Sequence, residues 1–317
     1  MSKEIDAPPI TGVEGEAHRP FWSVMIPAYN PGLDYLSVAL RSVLEQDPGP
    51  ERMQIEVVDD CSNRADVASM VKDVAGERVS YFRNQDNLGL AGCWNACIAR
   101  ARGVWVHILH QDDYILPGFY IRLGNAAQSR PEVAMIATRS FGVDKDGVIE
   151  SITPRLAGLE MGSTAVDDLF YSNPLRCPGI AVRRAFYEEH GGFRDDLPFT
   201  LDWEMWVRAI SRSGGIVTPE ILAAHRGTPG NETERFLRSA TGLPDVERVQ
   251  TIIAAAHPEI DLKKARMLRC ADALVIARIF AQAGDQAAVS ANLRYWRKNA
   301  SLRQRVRHFL ASLIRRP

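Results

Sequence analysis

Two adjacent carboxylates, Asp112 and Asp113, follow an apolar run at residues 104–109. The run has the composition of a buried strand, so we expect the two acids where that strand leaves its sheet. Ligands of open α/β sheets bind outside the carboxyl ends of the strands, and carboxylate oxygens suit a hard cation such as Mg²⁺ or Mn²⁺. The pair therefore indicates a cation that carries phosphates, although taken alone it can also begin a turn or cap a helix.

Other acids also lie at the end or the beginning of a predicted strand or helix. Asp59 and Asp60 follow a second apolar run at residues 55–58, and Asp202 begins a stretch whose spacing predicts a helix over 202–210. From the residues alone, Asp59 can be a turn residue and Asp202 an N-cap. A chemical role requires that Asp60, Asp113 and Asp202 converge on one cleft.

The elements that would position these acids alternate along residues 21–113. Short apolar runs predict strands, and apolar residues three and four apart predict helices. The predicted order is strand 21–26, helix 33–45, strand 55–58, helix 66–74, strand 79–82, helix 91–101 and strand 104–109. This order predicts an α/β fold with a Rossmann-like, mostly parallel central sheet flanked by helices.

The pattern is less regular after Asp113. It predicts a strand at 133–138, a hairpin within 141–149 and the helix at 202–210, and from Asp245 onward helix-forming residues dominate. The predicted regions are a flexible N-terminal tail at 1–18, an α/β domain at 19–242 and a C-terminal helical region at 243–317.

The composition restricts the classes of partner. The 317 residues carry a formal net charge of −1, which gives no reason to expect a nucleic acid as a partner. Five cysteines without the spacing of a disulfide framework or a zinc ribbon predict a reducing, cytoplasmic setting. The sequence shows no signal peptide and no run of about 18 apolar residues, so we expect any membrane contact to be peripheral.

The segment from Leu302 to Ile314 predicts a basic amphipathic helix. Its apolar stripe is flanked by arginines, and no acid follows Asp285. Such a helix can dock on the anionic inner face of a membrane. It can equally pack its stripe on the domain and leave a basic edge in water.

Five short segments resemble, in their order along the chain, the motifs of the family 2 glycosyltransferases, which have the GT-A fold. They are VMIPAYN at 24–30, VVDDCS at 57–62, NLG at 87–89 with Asn95, HQDD at 110–113, and DWEMWVR at 202–208. Each segment is short, but five in order are specific. The resemblance covers residues 21–233 and implies a donor half at 19–113 and an acceptor half at 114–242.

The resemblance implies an activity: the inverting transfer of one sugar from a nucleoside diphosphate to an acceptor hydroxyl. We expect UDP as the nucleotide, a glycan or lipid-linked acceptor, and a place in cell-surface or secreted glycan synthesis. The Gln-x-x-Arg-Trp motif of processive polysaccharide synthases is absent. One sugar per binding event is therefore the expectation.

The resemblance also implies roles for single residues. Asp113 would bind the Mn²⁺ or Mg²⁺ that stabilises the leaving diphosphate. Asp202 would be the general base, with Glu204 in reserve. The implied nucleotide contacts are Pro27, Tyr29, Asp60, Asn87 and Asp112.

The sequence departs from the family pattern in two places. His110 and Gln111 precede the acid pair where many relatives carry another acid, and Thr228 stands where relatives often place a histidine that reaches the metal or diphosphate. His225 or Arg226 can replace that histidine as a diphosphate contact.

Two other functions remain as alternatives. A sugar nucleotidyltransferase would carry a Gly-rich loop with Arg and Lys after the first strand, and residues 27–32 lack it. The other alternative is a catalytically inactive nucleotide-sugar-binding protein. The presence of Asp60, Asp113 and Asp202 argues against this alternative, because binding alone has no need of a base.

Overall fold

The computed structural model describes residues 7–12, 19–160, 166–228 and 230–306. The chain divides into two compact units, an N-terminal unit at 1–228 and a C-terminal unit at 229–317. This division precedes the boundary at 242/243 expected from composition. Each unit has a hydrophobic cluster of its own.

Strands and helices alternate in the first half of the N-terminal unit, as the apolar spacing predicts. The elements are β1 (Trp22–Ala28), α1 (Leu33–Leu44), β2 (Met53–Asp59), α2 (Val67–Ala75), β3 (Ser80–Arg83), α3 (Gly89–Arg100) and β4 (Trp105–Ile108). Every residue of β1, β2 and β4 is buried, as expected for strands covered on both faces. The Asp66 carboxylate caps α2 by accepting the Ser69 N–H.

The second half of this unit is less regular. Its elements are β5 (Tyr114–Ile115), α4 (Phe119–Ser129), β6 (Met135–Val143), β7 (Ile149–Ile152), α5 (Ala157–Glu160), α6 (Asp167–Phe170), a 3-10 turn (Cys177–Gly179), β8 (Ile180–Arg183), α7 (Arg184–His190), α8 (Leu201–Ser213) and β9 (Gly215–Arg226). The predicted hairpin is β6 and β7. Its turn is closed by Asp144, whose Oδ1 accepts the N–H groups of Asp146 and Val148.

All strands belong to one sheet in the order β3-β2-β1-β4-β8-β6-β9-β5, with β7 paired to β6. The first four strands are parallel to one another, as predicted, and β6 is parallel to β9. Strand β8 is antiparallel to both its neighbours, and β5 is antiparallel to β9. The α/β fold class is confirmed, and every antiparallel pair includes a strand of the second half.

The sheet register brings three loops to one edge. In β1, Val24 lies between Ile55 of β2 and His107 of β4. Backbone hydrogen bonds extend this pairing past the strand ends, from Asp60 N to Ala28 O at 2.7 Å and from Leu109 N to Met25 O at 3.0 Å. The residues that follow β1, β2 and β4 therefore meet at the carboxyl edge of the sheet.

Part of the predicted N-terminal tail contacts the N-terminal unit. Gly192 N–H donates to Pro8 O at 2.8 Å, and Arg184 donates from Nη2 to Thr11 O at 2.9 Å. Ile10 is buried. Residues 1–6 and 13–18 of that tail lie outside the described residues.

The described part of the C-terminal unit contains four helices. Its helices are α9 (Glu232–Ser239), α10 (Gly242–Ala256), α11 (Leu262–Gln282) and α12 (Gln286–Asn299). Its buried cluster comprises Ala240, Leu243, Cys270, Ala273, Trp296 and Ala300. Within the described ranges, no helix has the length and apolar content of a membrane span. Of the amphipathic segment 302–314, residues 307–314 lie outside the described residues.

Candidate active site

Asp59, the last residue of β2, is a buried anchor for the loop that follows. Its carboxylate accepts hydrogen bonds from Ser62 N (2.9 Å), the Tyr81 hydroxyl (2.7 Å) and Arg83 Nη1 (2.8 Å). Burial raises the pKa of Asp59, but these hydrogen bonds outweigh it and the pKa is lowered. The Asp59 carboxylate therefore stays ionised and positions residues 60–62.

Asp60 directly follows β2, and its carboxylate caps the N-terminus of α3. Oδ1 accepts from Asn84 Nδ2 (2.8 Å) and Leu88 N (2.9 Å), and Oδ2 accepts from Gly89 N (3.1 Å). Asn87 ties the same two segments, because its Nδ2 donates to Asp60 O and its Oδ1 accepts from Gly89 N. Oδ2, with a single hydrogen bond among the described residues, is the oxygen that retains capacity for a ligand N–H.

The ends of β1 and β4 are tied together by Gln111. Its Oε1 accepts the Tyr29 N–H at 2.8 Å. Tyr29 itself is 44% exposed, so its ring is available to stack on a planar ligand. Pro27 is buried in β1, opposite Val58. Gln111 thus has a structural role that the sequence did not suggest.

Asp113 is buried where the loop after β4 meets the end of β9. Its Oδ1 accepts the Arg226 N–H at 2.8 Å, and its Oδ2 lies 3.3 Å from Nδ1 of His110 without a well-formed hydrogen bond. Burial raises the pKa of Asp113, but His225, His110 and the Arg226 N–H outweigh it and the pKa is lowered. The Asp113 carboxylate is therefore an anion in the resting protein.

Asp112 has a different environment from its neighbour. Its pKa is raised, first by burial and then by the charge of Asp113. Its Oδ2 accepts a hydrogen bond from the Thr228 hydroxyl at 3.3 Å. Thr228 therefore contacts the acid pair directly.

The guanidinium of Arg226 makes hydrogen bonds to other parts of the chain. It donates to the carbonyl oxygens of Asp112 (3.1 Å), Asp144 (3.3 Å) and Lys145 (3.2 Å). The guanidinium carbon also lies 4.9 Å from the ring centre of Tyr35. This arrangement holds the β6–β7 hairpin against the acid pair and leaves little of Arg226 for a diphosphate.

His225 is the other residue that the sequence predicts as a diphosphate contact. Its side chain is half-buried, and its charge lowers the pKa values of both Asp112 and Asp113. His225 therefore lies within electrostatic range of the acid pair.

Asp202 lies in the first turn of α8. Its Oδ1 accepts the Trp203 N–H at 2.6 Å, and its Oδ2 accepts from Asn173 Nδ2 at 3.2 Å. Burial raises the pKa of Asp202 against the opposing effects of Trp203 N–H, His110, Arg176 and Asn173. A carboxylate with a raised pKa is a stronger base than an exposed one.

The reserve candidate for the base, Glu204, has another role. It is buried, and its two oxygens accept from Nε (2.9 Å) and Nη2 (3.0 Å) of Arg208. Arg208 in turn donates to the carbonyls of His190, Gly191 and Gly192. Glu204 is therefore a structural ion-pair partner on a different face of α8.

His110 interacts electrostatically with both Asp113 and Asp202. Its Nδ1 faces Asp113, its charge lowers the pKa of Asp202, and its ring lies 4.8 Å from that of Trp94. Cys177 is buried beside it and feels the charges of both acids. Asp113 and Asp202 therefore both lie within electrostatic range of His110, and Asp60 lies at the same sheet edge as the loop that carries Asp113.

The sequence does not identify several residues that lie around His110, Asp202 and the end of β1. Asn173 and Cys177 lie in or beside the irregular segment between α6 and β8, where spacing carries no signal. The sequence presents His110 and Gln111 only as a departure from the family pattern. A polar residue inside a loop can be placed only through the contacts of the folded chain.

Few side chains near Asp113 could coordinate a metal ion. In the described part of the chain, no group of three or more His, Cys, Asp and Glu side chains is arranged to hold an ion. The buried Oδ2 of Asp113, without a hydrogen-bond partner, nevertheless fits a cation. Mg²⁺ is commonly held by one or two carboxylates together with substrate phosphates, and Asp113 suits that mode.

The chain matches known proteins over most of its N-terminal unit. The family model described as Glycosyl transferase family 2 matches residues 23–191. An uncharacterised protein of Mycobacterium tuberculosis is 32% identical over 74% of this chain and 75% of its own length.

Two solved structures have a similar fold. S. aureus TarS 1-349 in complex with UDP-GlcNAc has 18% identity and a TM-score of 0.59, over 78% of this chain and 70% of that chain. The Pyrobaculum calidifontis mannosyltransferase PcManGT, in complex with GDP-Man and Mn²⁺, has 15% identity and a TM-score of 0.53, over 98% and 83%. At this identity the two structures support the GT-A fold alone. The family model, which covers more than half of the chain, shows that the chain belongs to the family 2 glycosyltransferases.

Proposed function

We propose that the protein transfers one sugar, with inversion, from a nucleoside diphosphate sugar to an acceptor hydroxyl. The observation that carries this proposal is the arrangement around His110, with the anionic Asp113 on one side and the more basic Asp202 within electrostatic range. A cation-binding acid and a base in one cleft suit a displacement that needs charge stabilisation and proton removal at once.

The donor nucleotide would lie at the carboxyl edge of the sheet. Tyr29 supplies an exposed ring for stacking, and Oδ2 of Asp60 can accept an N–H of the base. Pro27, Asn87 and Asp112 complete the proposed nucleotide contacts. We propose UDP as the nucleotide, in line with the UDP-GlcNAc complex of TarS, and note that PcManGT binds GDP-Man.

A divalent cation, Mn²⁺ or Mg²⁺, is part of the proposal. Oδ2 of Asp113 would hold it together with the diphosphate, and the bound ion would stabilise the negative charge of the leaving group. His225, next to the acid pair, is the proposed additional contact to the diphosphate, whereas the guanidinium of Arg226 mainly orders the surrounding loops.

Asp202 is the proposed general base. As the acceptor oxygen forms its bond to the sugar C1, the bond between C1 and the diphosphate oxygen breaks, and the acceptor proton passes to the Asp202 carboxylate. Attack from the face opposite the leaving group inverts the configuration at C1. Nucleoside diphosphate leaves with the electron pair of the broken bond.

We further propose a role in cell-surface or secreted glycan synthesis, with a glycan or lipid-linked acceptor and a site of action at the cytoplasmic, inner face of a membrane. The five cysteines are all free thiols, which supports a reducing compartment. The net charge of −1 gives no support for nucleic acid as a partner.

The test is a donor screen with Mn²⁺ and a panel of nucleotide sugars. We expect slow release of nucleoside diphosphate from one donor, and NMR of the product should show the opposite anomeric configuration. Pyrophosphate exchange would instead support a nucleotidyltransferase. Donor binding without release, with every acceptor tried, would support an inactive binding protein.

A further inference from the structure

One side of α11 exposes large apolar side chains. Met267, Val275 and Ile279 are 50%, 51% and 57% exposed, and their spacing of eight and four residues places them on one side of the helix. Lys264 and Arg278 are also exposed and share this side by the same periodicity. Side chains such as these are usually buried in the core of a unit.

The last described residues extend this surface. Gln304 donates from Nε2 to Met267 O at 3.0 Å, so residues 301–306 lie against the beginning of α11. Leu302 and Val306, which begin the apolar stripe noted in the sequence, are 79% and 49% exposed. In the described residues this stripe therefore faces outward and is not packed on the C-terminal unit.

The C-terminal unit carries a net positive charge. Residues 229–317 contain sixteen Lys and Arg and eight Asp and Glu, a formal net charge of +8 in a chain whose total is −1. No acid follows Asp285. Asp272 is the exposed acid beside the apolar side of α11.

We infer that this surface docks on a bilayer that contains anionic phospholipid. The docking surface comprises Lys264, Met267, Val275, Arg278, Ile279, Leu302 and Val306. Apolar side chains flanked by Lys and Arg are the composition with which helices lie in the interface of an anionic membrane.

The charge favours a bilayer over a second copy of the chain. An interface between two copies of the same surface would bring Lys264 and Arg278 close to cations of the partner, which costs free energy. Anionic headgroups attract the same cations, while the acyl region accepts the apolar side chains. The surface therefore complements a membrane in both charge and polarity.

The test is co-sedimentation of the full chain with phosphatidylcholine vesicles that contain either no phosphatidylglycerol or about 30% of it. We expect binding only to the anionic vesicles, weakening as salt is raised. Ile279→Glu and Leu302→Glu should each lower the partition coefficient roughly tenfold, because each loses apolar insertion and adds a repelled charge. No donor or acceptor is added, so the result does not depend on transferase activity.

Ile121→Glu is the matched control, since Ile121 is 74% exposed on α4 of the N-terminal unit. It should bind vesicles like the unchanged protein. Circular dichroism checks that all variants are folded. The inference is wrong if anionic and neutral vesicles bind equally, if neither binds, or if Ile279→Glu has no effect. It is also wrong if sedimentation velocity shows a dimer that Ile279→Glu dissociates.

Discussion

Nδ1 of His110 lies 3.3 Å from Oδ2 of Asp113, the one oxygen of that carboxylate without a well-formed hydrogen bond. Oδ1 of the same carboxylate is held by the Arg226 N–H. The carboxylate plane is therefore set by one backbone group and one imidazole. His110 is the side chain placed to orient the Asp113 carboxylate.

Two substitutions of His110 should distinguish the role of Nδ1 from that of Nε2. In Asn the side-chain amide lies near the position of Nδ1, and in Gln it lies near Nε2. We expect His110→Asn to retain Mn²⁺-dependent UDP affinity, and His110→Gln to weaken it roughly tenfold, the scale of one hydrogen bond to a charged group. Calorimetry with and without Mn²⁺ measures the difference. Equal losses in the two variants would show that Nδ1 does not orient Asp113.

Asp202→Asn should leave donor binding nearly unchanged and lower turnover by roughly 10² or more, the scale of a lost general base. The amide retains the size of the side chain but cannot take the acceptor proton. Steady-state rates with the identified donor measure turnover, and calorimetry measures donor affinity. Asp73→Asn, an exposed acid on α2, is the matched control. Unchanged turnover in Asp202→Asn would refute the assignment of the base.

Asn173→Ala should move the acid limb of the pH–rate profile to higher pH. The base must be ionised, so the rate falls as pH drops through the raised pKa of Asp202. Asn173 Nδ2 donates to Asp202 and lowers that pKa, so its removal leaves the burial effect less opposed. The profile of kcat/KM against pH measures the shift. A profile that only scales down, with its acid limb in place, would mean a structural role for Asn173.

The sequence predicts the first four strands and three helices because their apolar spacing is regular and each strand is followed by a turn or an acid. It does not predict β8 and β9. β8 is a four-residue strand after an irregular segment, and β9 begins with glycine and contains Pro219, so neither presents an alternating pattern. β9 nonetheless brings Arg226 to Asp113, and β8 joins β4 to β6 within the sheet.

The acids of the candidate site could be chosen from the sequence, but their partners could not. Asp60, Asp113 and Asp202 follow or begin predicted elements, so their approximate positions follow from topology. Their hydrogen bonds to Leu88, Arg226 and Asn173 join segments far apart in the chain. Such pairings depend on loop conformation, which hydrophobic spacing does not encode.

His107 should make the stability of the N-terminal unit sensitive to acid. It is fully buried, with Nε2 3.0 Å from Pro178 O and Nδ1 3.0 Å from the Tyr120 hydroxyl, so the neutral ring satisfies both partners. Burial lowers its pKa from 6.5 to about 4. The unfolded chain therefore binds the proton first, and stability present above pH 6.5 is lost as pH falls toward about 4.

The loss attributable to His107 is roughly 3 kcal/mol over that interval. Urea unfolding at several pH values measures it. His107→Gln, which does not titrate, should be less stable at neutral pH and should show a flatter dependence on pH. A variant curve parallel to that of the unchanged protein would show that other groups cause the acid sensitivity.

Cys61 occupies a backbone conformation that favours glycine. Its φ is 65°, and it lies between Asp60 and Ser62 in the loop that follows β2. A side chain in this left-handed region costs about 1 kcal/mol, while glycine adds entropy to the unfolded chain and offsets part of the gain. We expect Cys61→Gly to raise the free energy of unfolding by a few tenths of a kcal/mol and to leave UDP affinity unchanged.

Cys61→Ala is the matched control, because it removes the thiol but keeps Cβ, and it should give no gain. If both variants change the urea midpoint equally, the thiol contacts with Gln85 and Arg83, and not the backbone, determine the effect.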